Sequence, residues 1–297
     1  RTRPDWLKIR FSINENYRDL LQIVSTNHLH TVCQEARCPN QSECWGRGTA
    51  TLMILGDVCT RSCGFCAVKT GRPPIYDRDE PRRVALAVQK MHLNHVVITS
   101  VNRDELPDQG SEVWAETIRQ VRALNPDTSI EVLIPDFKGQ WEPLKRVIEA
   151  HPDILGHNIE TVPRLYRRVR PQAKYERSLW VLQKSHEQGM VAKTGVMVGL
   201  GETFEEVVEV MKDALSAGVE IFTIGQYLQP TKRHLPVERF VHPDEFAEYK
   251  RIGESLGLRH VESGPLVRSS YHAEEQVDRM RGAPCGGVAA AAFSGNR

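Results

Sequence analysis

Residues 59–66 read Cys59-Thr-Arg-Ser-Cys63-Gly-Phe-Cys66, three cysteines at the spacing C-x3-C-x2-C. The segment before them, Thr51-Leu-Met-Ile-Leu-Gly56, is a short apolar run that ends at a glycine. Such a run is typical of a buried strand, so the three cysteines are expected on the loop that follows it. In a parallel sheet these loops gather at the carboxyl ends of the strands, where active sites form.

The rest of the chain contains the units that a parallel sheet needs. Further apolar segments predict strands at residues 95–100, 129–134, 154–159, 191–198 and 220–224. Amphipathic segments predict helices at 17–28, 81–91, 112–123, 141–150, 177–188, 204–217 and 243–256. Because strand–helix units recur at about 30-residue intervals, we expect an α/β fold in which six parallel strands form a partial (β/α)6 barrel.

The overall composition is that of an ordinary folded protein. The chain has 297 residues and a formal net charge of +1, with 40% hydrophobic and 26% charged residues. These values exclude the disordered, collagen-like and coiled-coil classes. No apolar run approaches the roughly 18 residues of a membrane-spanning helix, so no membrane association is expected. The balanced charge gives no reason to expect nucleic-acid binding.

A second group of cysteines precedes the first and comprises Cys33, Cys38 and Cys44, spaced C-x4-C-x5-C. Six of the seven cysteines thus lie within residues 33–66. A disulfide scaffold fits poorly, because disulfide-dense proteins are usually too small to bury a core and this chain is long enough. A zinc site is an alternative, since His28 and His30 could join Cys33, but zinc sites favour paired cysteines and four ligands.

Two iron–sulfur clusters fit the two cysteine groups better. Cys thiolates are the usual ligands of a [4Fe–4S] cluster, and three closely spaced cysteines can hold three of its irons. The fourth iron is then either open, as a Lewis-acid site, or bound by a residue distant in the sequence. Two such groups indicate chemistry at the clusters in addition to electron storage.

The segment 59–66, with the aromatic Phe65 before its last cysteine, resembles the signature of the radical S-adenosylmethionine (SAM) superfamily. The resemblance implies that Cys59, Cys63 and Cys66 bind a [4Fe–4S] cluster whose open iron chelates SAM. The candidates for further SAM contacts follow the predicted strands or belong to the cysteine loop: Phe65, Asn102, Asn158, Glu160, Gly199, Glu202 and Gln226, with Arg103, Asp104, Gly201 and Tyr227 beside them. An ordinary turn or strand-end hydrogen bond explains several of them about equally well.

Two further stretches resemble motifs of the lipoyl synthase family: Cys33-Gln-Glu-Ala-Arg-Cys38-Pro-Asn-Gln-Ser-Glu-Cys44 and Arg268-Ser-Ser-Tyr-His-Ala273. Supporting matches lie at residues 99–107, 157–161, 196–202 and 225–231, and the similarity spans residues 14–280. Two positions depart from the pattern, because Glu105 and Gln109 stand where we expect Asp and Gly.

The resemblance implies a particular reaction, the insertion of two sulfur atoms at C6 and C8 of a protein-bound octanoyl-lysine group. It also implies that Cys33, Cys38 and Cys44 hold an auxiliary [4Fe–4S] cluster that donates the sulfur. A serine of the Arg-Ser-Ser-Tyr motif is then the fourth ligand, and Ser270 is the predicted one, with Ser269 as the alternative. A helix-cap or turn hydroxyl is the competing interpretation of Ser270. An alkoxide is a harder ligand than a thiolate, so this corner of the cluster should be labile.

Three regions are predicted from these assignments. Residues 1–50 form an N-terminal extension with the auxiliary cysteines, and residues 51–260 form the radical SAM partial barrel. Residues 261–297 form a C-terminal segment that carries the Arg-Ser-Ser-Tyr motif, closes over the barrel mouth and ends in a disordered tail. That tail contains the seventh cysteine, Cys285, to which no role is assigned.

The resemblance also implies partners and a compartment. The substrates are octanoylated carrier domains of the 2-oxoacid dehydrogenase E2 or glycine cleavage H protein type, and the reductant is a low-potential donor such as ferredoxin or flavodoxin. Basic residues within 164–177 are a candidate docking face for an acidic carrier. Oxygen-sensitive clusters and reactive thiolates predict a reducing interior, the cytoplasm.

Two other functions stay open on the sequence. A radical SAM enzyme could use its second cluster for electron transfer, as in a dehydrogenase or maturase. An iron–sulfur electron carrier would hold clusters without cleaving SAM. Neither function explains the serine-bearing motif. Biotin synthase chemistry is disfavoured because the additional cysteines precede the SAM-binding loop in this chain.

Overall fold

The structure is a computed structural model that describes residues 3–8, 13–36, 38–47, 49–73 and 77–274. Within these residues the strands are β1 His30–Thr31, β2 Thr51–Ile54, β3 Val58–Cys59, β4 Lys69–Thr70, β5 His95–Ser100, β6 Ser129–Leu133, β7 Ile154–Gly156, β8 Val191–Val198, β9 Val219–Gln226 and β10 His260–Gly264.

The helices surround this framework. They are α1 Glu15–Thr26, α2 Val32–Glu35, α3 Gln41–Gly46, α4 Glu80–Met91, α5 Ser111–Leu124, α6 Trp141–Ile148, α7 Tyr166–Val169, α8 Tyr175–Glu187, α9 Phe204–Ser216 and α10 Pro243–Leu256, with single 3-10 turns at Asp5–Leu7, Phe137–Gly139 and Pro163–Leu165. The longest have 14 residues. In the part of the chain that the structure describes, none is long and apolar enough to cross a membrane.

Eight strands form one open sheet in the order β1-β2-β5-β6-β7-β8-β9-β10. All neighbours from β2 to β10 are parallel, and β1 pairs antiparallel with β2 at one edge. The six predicted parallel strands and the partial barrel are confirmed. The sheet also has a seventh parallel strand, β10, which sequence analysis missed because His-Val-Glu-Ser-Gly carries no continuous apolar run. The predicted regional boundary at residue 260 falls where this strand begins.

The helices bury the outer face of the sheet in two apolar clusters. Ile54 and Ile98 pack with Trp114 of α5 in the first cluster, and Phe222 packs with Met211 of α9 in the second. All five side chains are fully buried. Because side chains alternate along a strand, the residues between these apolar positions face the inside of the partial barrel.

One helix start shows how local sequence fixes the elements. Thr203 precedes α9, and its hydroxyl accepts the backbone N–H of Glu206 while the Glu206 carboxylate accepts the N–H of Thr203. This reciprocal pair satisfies two backbone donors that the first helical turn leaves free. The first turns of α4 and α10 contain Pro81 and Pro243, as predicted. Proline is favourable there because it lacks the backbone N–H that a first helical turn leaves without a partner.

The position that departs from the family pattern at residue 109 has a left-handed backbone. Gln109 has φ 55°, a region that favours glycine. Its side chain is buried, and its Nε2 donates to Oε1 of Gln140 at 2.6 Å. This hydrogen bond links the segment before α5 to the segment before α6.

An ion pair is buried inside the sheet. Nζ of Lys193 on β8 donates to Oε1 of Glu131 on β6 at 2.7 Å, and both side chains are 2% exposed. Nε2 of His95 on β5 lies 3.5 Å from the other carboxylate oxygen. Burial alone would raise the pKa of Glu131, but the Lys193 charge and the His95 hydrogen bond hold it below its usual value.

The variant Lys193→Met is expected to lower the free energy of unfolding by about 3–5 kcal/mol, because it leaves the Glu131 carboxylate buried without its cation. Denaturant unfolding of the apoprotein measures this loss. The double variant Lys193→Met/Glu131→Leu should lose clearly less, because no charge then stays buried. A double variant as unstable as the single one would contradict this explanation.

Candidate active site

The cysteine loop 59–66 follows β2, as predicted, and its first cysteine is anchored on both sides. Cys59 lies in β3, which pairs with β4, and its carbonyl accepts the N–H of Gly71 at 2.9 Å. Its sulfur accepts the backbone N–H groups of Arg61 at 3.4 Å and Asn102 at 3.3 Å. Asn102 follows β5, so the Cys59 sulfur is fixed to the loop of the neighbouring strand.

The second half of the loop is held by segments that follow β7 and β9. Gly64 donates its N–H to the carbonyl of Val169 at 2.8 Å, and its own carbonyl accepts the N–H of Leu235 at 3.0 Å. A Cβ on Gly64 would lie 2.9 Å from Cγ of Leu235, so this close approach requires glycine. Nε2 of His234 lies 2.9 Å from the carbonyl oxygen of Cys66. The loop is therefore positioned by several strand ends at once.

An ion-pair network joins Arg61, inside the loop, to acidic residues that follow β5 and β6. Arg61 pairs with Asp104 at 2.7 Å and with Asp136 at 2.6 Å, and Arg177 of α8 lies 3.2 Å from Asp136. Burial alone would raise the pKa of Asp136, but the hydrogen bond and charge of Arg61 hold it well below its usual range. Arg61 and Asp136 were not predicted, although Arg61 is a charged residue inside the cysteine motif and Asp136 follows a predicted strand.

The thiols of this loop lie close enough to affect one another. Burial raises the pKa of Cys63 to about 11, with Arg170 opposing the shift and Glu160 adding to it. Burial raises the pKa of Cys66 to about 12, and the neighbouring cysteines contribute. These thiols are therefore protonated near neutral pH, and binding of a metal would displace their protons.

The predicted residues Asn158 and Glu160 lie beside these thiols. Nδ2 of Asn158 donates to Oε1 of Glu160 at 3.2 Å, and Glu160 has the left-handed φ of 70°. Its backbone bridges to β8 at Val196, which holds this strained conformation in place. A Cβ on Gly195 would lie 2.2 Å from the Thr223 hydroxyl and 3.4 Å from Oδ1 of Asn158. Gly195 was not predicted, although a glycine inside a strand signals a close approach.

The residues after β5 differ in whether their side chains already have hydrogen-bond partners. The Asn102 carbonyl accepts hydrogen bonds from Thr60, and Oδ1 of Asn102 is buried without a partner among the described residues. Arg103 donates to Glu105 and to the Leu55 carbonyl, and Asp104 binds Arg61. Asn102 is therefore the residue here with an acceptor left for a ligand.

The glycine turn after β8 is held by its own carboxylate. Glu202 accepts the N–H groups of Gly199 and Leu200, at 2.5 and 2.9 Å. Gln226 donates to the carbonyls of Val198, Tyr227 and Arg239 and accepts the N–H of Val241. Gly199 has φ 98°, and a Cβ there would lie 2.2 Å from Nε2 of Gln226. Contact of Gly199, Glu202 or Gln226 with SAM stays a prediction, while their hydrogen bonds fix the loops around the site.

Three other predicted residues support the same loops. Phe65 is half-buried against the apolar cluster of β8 and β9. The Tyr227 hydroxyl donates to the Leu235 carbonyl at 2.7 Å, and Leu235 contacts the cysteine loop at Gly64. The Gly201 carbonyl accepts a hydrogen bond from Arg164 at 2.9 Å.

A second pocket brings together the N-terminal cysteines and the C-terminal motif. It is lined by Cys33, Cys38, Asn40, Cys44, Thr49, Thr51, Arg268, Ser270 and Tyr271. Ser270 lies 226 positions after Cys44 in the chain, yet it shares this pocket, whereas Ser269 does not line it. The Thr51 hydroxyl donates to Oγ of Ser270 at 2.8 Å. Among the described residues no hydrogen bond joins this serine to a helix end.

The C-terminal segment is tied to the N-terminal extension on several sides. Nδ2 of Asn40 donates to the Leu266 carbonyl at 2.6 Å, and the Tyr271 hydroxyl donates to Glu43 at 3.1 Å. The Val267 carbonyl oxygen lies 2.0 Å from the place where Gly225 would carry a Cβ, so only glycine lets the segment cross β9 there. These contacts bring the two ends of the described chain together around one pocket.

The thiols of the second pocket are buried as well. Burial raises the pKa of Cys33 and Cys38, and the Arg268 guanidinium opposes the rise at Cys38. Burial raises the pKa of Cys44 to about 12, and both other cysteines contribute. Each thiol thus lies within electrostatic reach of the others.

The donor sets fit iron–sulfur clusters better than the alternatives. The six described cysteines are free, so no disulfide joins any of them. His30 lies with Glu35 and Asp57 and does not line the pocket of Cys33. A zinc site that combines His30 with Cys33 therefore has no structural support. Cys285 and the remainder of 275–297 lie outside the described residues. Each cysteine group offers three thiols, and Ser270 lines the pocket of the second group, which is a donor set that fits an iron–sulfur cluster.

Comparison with known proteins defines the class. A model of the Radical SAM superfamily matches residues 53–214. The fold is similar to that of Streptococcus suis SuiB bound to S-adenosylmethionine, with a TM-score of 0.55 at 11% identity over 76% of this chain. The chain spans about half the length of SuiB, 55% of it. The protein is thus a radical SAM enzyme, a class that uses a [4Fe–4S] cluster together with SAM.

Two curated relatives define the family. The chain is 60% identical to lipoyl synthase of Rubrobacter xylanophilus, covering 95% of this chain and 88% of that protein. It is 54% identical to the mitochondrial lipoyl synthase of Nematostella vectensis, covering 93% of this chain and 95% of that protein. The chain belongs to the lipoyl synthase family, whose members are sulfur-inserting radical SAM enzymes.

Proposed function

We propose that this chain inserts sulfur at C6 and C8 of an octanoyl-lysine group carried by a protein, and that an auxiliary cluster supplies both sulfur atoms. The observation that carries this proposal is the pocket in which Cys33, Cys38 and Cys44 meet Ser270. A cluster that only transfers electrons would not need a serine among its ligands, whereas a labile serine corner suits a cluster that gives up its sulfide.

Cys59, Cys63 and Cys66 would hold the SAM-binding cluster. When bound, this cluster and SAM supply the radical that removes hydrogen from an unactivated carbon, which no side-chain acid or base can deprotonate. The protein positions the reactants. Asn158 and Glu160 lie beside the thiols with oxygen and nitrogen atoms suited to the amino or hydroxyl groups of SAM, and Asn102 adds a buried acceptor.

Cys33, Cys38, Cys44 and Ser270 would hold the auxiliary cluster, whose chemical contribution is sulfide. The alkoxide is the harder ligand of this set and gives a weaker bond to iron, so one corner is easier to open than the other three. The pocket thus supports the proposed regional organisation, since residues 1–50 contribute the cysteines and residues 261–297 contribute the serine.

Incubation with SAM, a strong reductant and an octanoyl-lysyl peptide under anaerobic conditions tests the function directly. Mass spectrometry should show a peptide that has gained two sulfurs, with two SAM molecules cleaved per product because two C–H bonds are broken. SAM cleavage that leaves the peptide unmodified would contradict the substrate. An auxiliary cluster used for electron transfer would keep all its sulfide.

We further propose that the carrier is an octanoylated E2-type or H-protein-type domain. Within residues 164–177, fewer basic residues are available to bind this carrier than the sequence predicted. Arg164 pairs with Glu206, and Arg168 pairs with Glu238. Arg177 binds Asp136, and the buried Arg170 donates to backbone carbonyls. The exposed residues Arg167 and Lys174 remain for an acidic carrier.

The double variant Arg167→Glu/Lys174→Glu should therefore slow turnover of the whole carrier by about tenfold at low salt, because like charges at the encounter surface lower the association rate. The rate with a short octanoyl-lysyl peptide should not change. Lys90→Glu/Arg119→Glu, the same charge change on α4 and α5, is the matched control. If carrier turnover does not depend on ionic strength, the docking face is wrong.

A reducing compartment suits these ligands, and we place the reaction in the cytoplasm with a low-potential donor such as ferredoxin or flavodoxin. Support comes from the six free cysteines, which an oxidising compartment would not keep as thiols.

A further inference from the structure

Thr51 lies where the two ends of the auxiliary site meet. It is the first residue of β2, and its side chain is buried. Its hydroxyl donates to Oγ of Ser270 at 2.8 Å. It lines the auxiliary pocket together with Cys33. A single strand residue thus links the cysteine side of the pocket to the serine side.

The hydrogen bond from Thr51 has a specific consequence for Ser270. Among the described residues, Thr51 is the sole hydrogen-bond partner of the Ser270 side chain. Two other hydrogen bonds, from Asn40 to Leu266 and from Tyr271 to Glu43, position this segment. Neither of them involves the Ser270 side chain, so they do not fix its rotamer. A free serine hydroxyl can occupy three rotamers, and one hydrogen bond selects among them.

Thr51 is also a rigid donor. It pairs with Val97 in the parallel ladder between β2 and β5, so its backbone is fixed in the sheet. Its β-branched side chain has restricted χ1 freedom. If iron binding displaced the proton of the Ser270 hydroxyl to solvent, the Thr51 hydroxyl could still donate to a remaining lone pair of the oxygen, and such charge-assisted bonds are the stronger ones.

We propose that Thr51 is a positioning residue of the auxiliary cluster, whose hydroxyl holds the Ser270 oxygen in the pocket as the fourth ligand. The inference rests on the proposed role of Ser270. It concerns ligand retention, so it is tested on the auxiliary cluster itself.

The test uses the full-length chain with Cys59, Cys63 and Cys66 all changed to Ala, so that only the auxiliary cluster loads. Thr51→Val removes the hydroxyl and keeps the branched shape, Thr51→Ser keeps the hydroxyl, and Ser270→Ala removes the ligand. Thr128→Val is the folding control, because the buried Thr128 hydroxyl donates to the Leu93 carbonyl at 2.7 Å, away from both pockets. After anaerobic reconstitution, an iron chelator is added, and iron content, iron release and the EPR spectrum are recorded.

Thr51→Val is expected to release its first iron about tenfold faster than the parent, as a lost hydrogen bond to a charged oxygen would cause. After mild oxidation with ferricyanide, which removes one electron from the remaining three-iron cluster, it should also give the three-iron EPR signal that Ser270→Ala gives. Thr51→Ser and Thr128→Val should match the parent. If Ser270→Ala destabilises the cluster and Thr51→Val does not, the role of Thr51 is refuted while that of Ser270 stands. If Ser270→Ala has no effect either, the ligand assignment itself fails.

Discussion

Cys63→Ala is expected to abolish SAM cleavage and to lower the iron content after anaerobic reconstitution from about eight to about four per chain. Cys63 is the central cysteine of the loop 59–66, and all three cysteines of the loop are half-buried. Two thiols cannot replace three as ligands of a cluster that must keep one iron open for SAM. The measurements are iron analysis and chromatographic detection of 5′-deoxyadenosine.

The matched control for this variant is Cys285→Ala, which removes the seventh cysteine and leaves all six cysteines of the two groups in place. It should retain about eight irons and full SAM cleavage. SAM cleavage by the Cys63→Ala variant at the parent rate would mean that the loop 59–66 is not the SAM site.

Ser270→Ala is expected to separate the two halves of the reaction. SAM cleavage should continue near the parent rate, because the thiols of the loop 59–66 are unchanged. Formation of the doubly sulfurated peptide should fall by about 100-fold or more, since even a residue that only supports a ligand is worth 10–100-fold. Parallel chromatography of 5′-deoxyadenosine and mass spectrometry of the peptide measure both rates in one sample.

Ser269→Ala is the control for this second variant, because Ser269 precedes Ser270 in the motif but does not line the auxiliary pocket. It should keep both rates. The opposite pattern, with Ser269→Ala inactive and Ser270→Ala active, would reverse the ligand assignment.

Much of the fold could be predicted because its signals are local. The apolar runs at β5 and β8 and the capped pattern of α10 gave boundaries that the structure reproduces without change. The strand β10 could not be found in this way, because its glutamate and serine sit in a half-covered edge strand next to β9. Its existence depends on a neighbouring strand, which no local pattern encodes.

The part of the site that depends on local sequence could also be predicted, whereas its long-range contacts could not. The cysteine spacings are local and identify both triads. The buried pair of Arg61 with Asp136 and the hydrogen bond of Thr51 with Ser270 join residues 75 and 219 positions apart. Nothing in either segment alone specifies these contacts. The motif likewise offers Ser269 and Ser270 as equivalent hydroxyls, and only the course of the C-terminal segment distinguishes them.

The two proposed clusters differ in what happens to them during the reaction. The cluster in the loop 59–66 is reused, whereas the auxiliary cluster is consumed as the sulfur source. The direct test loads the auxiliary site with heavy-sulfur (34S) sulfide, removes free sulfide and runs a single turnover with unlabelled buffer. We expect both sulfurs of the product to be heavy and each chain to make about one product before it stops, because the donor is spent. A product with light sulfur, or a chain that turns over repeatedly with its label retained, would contradict this expectation.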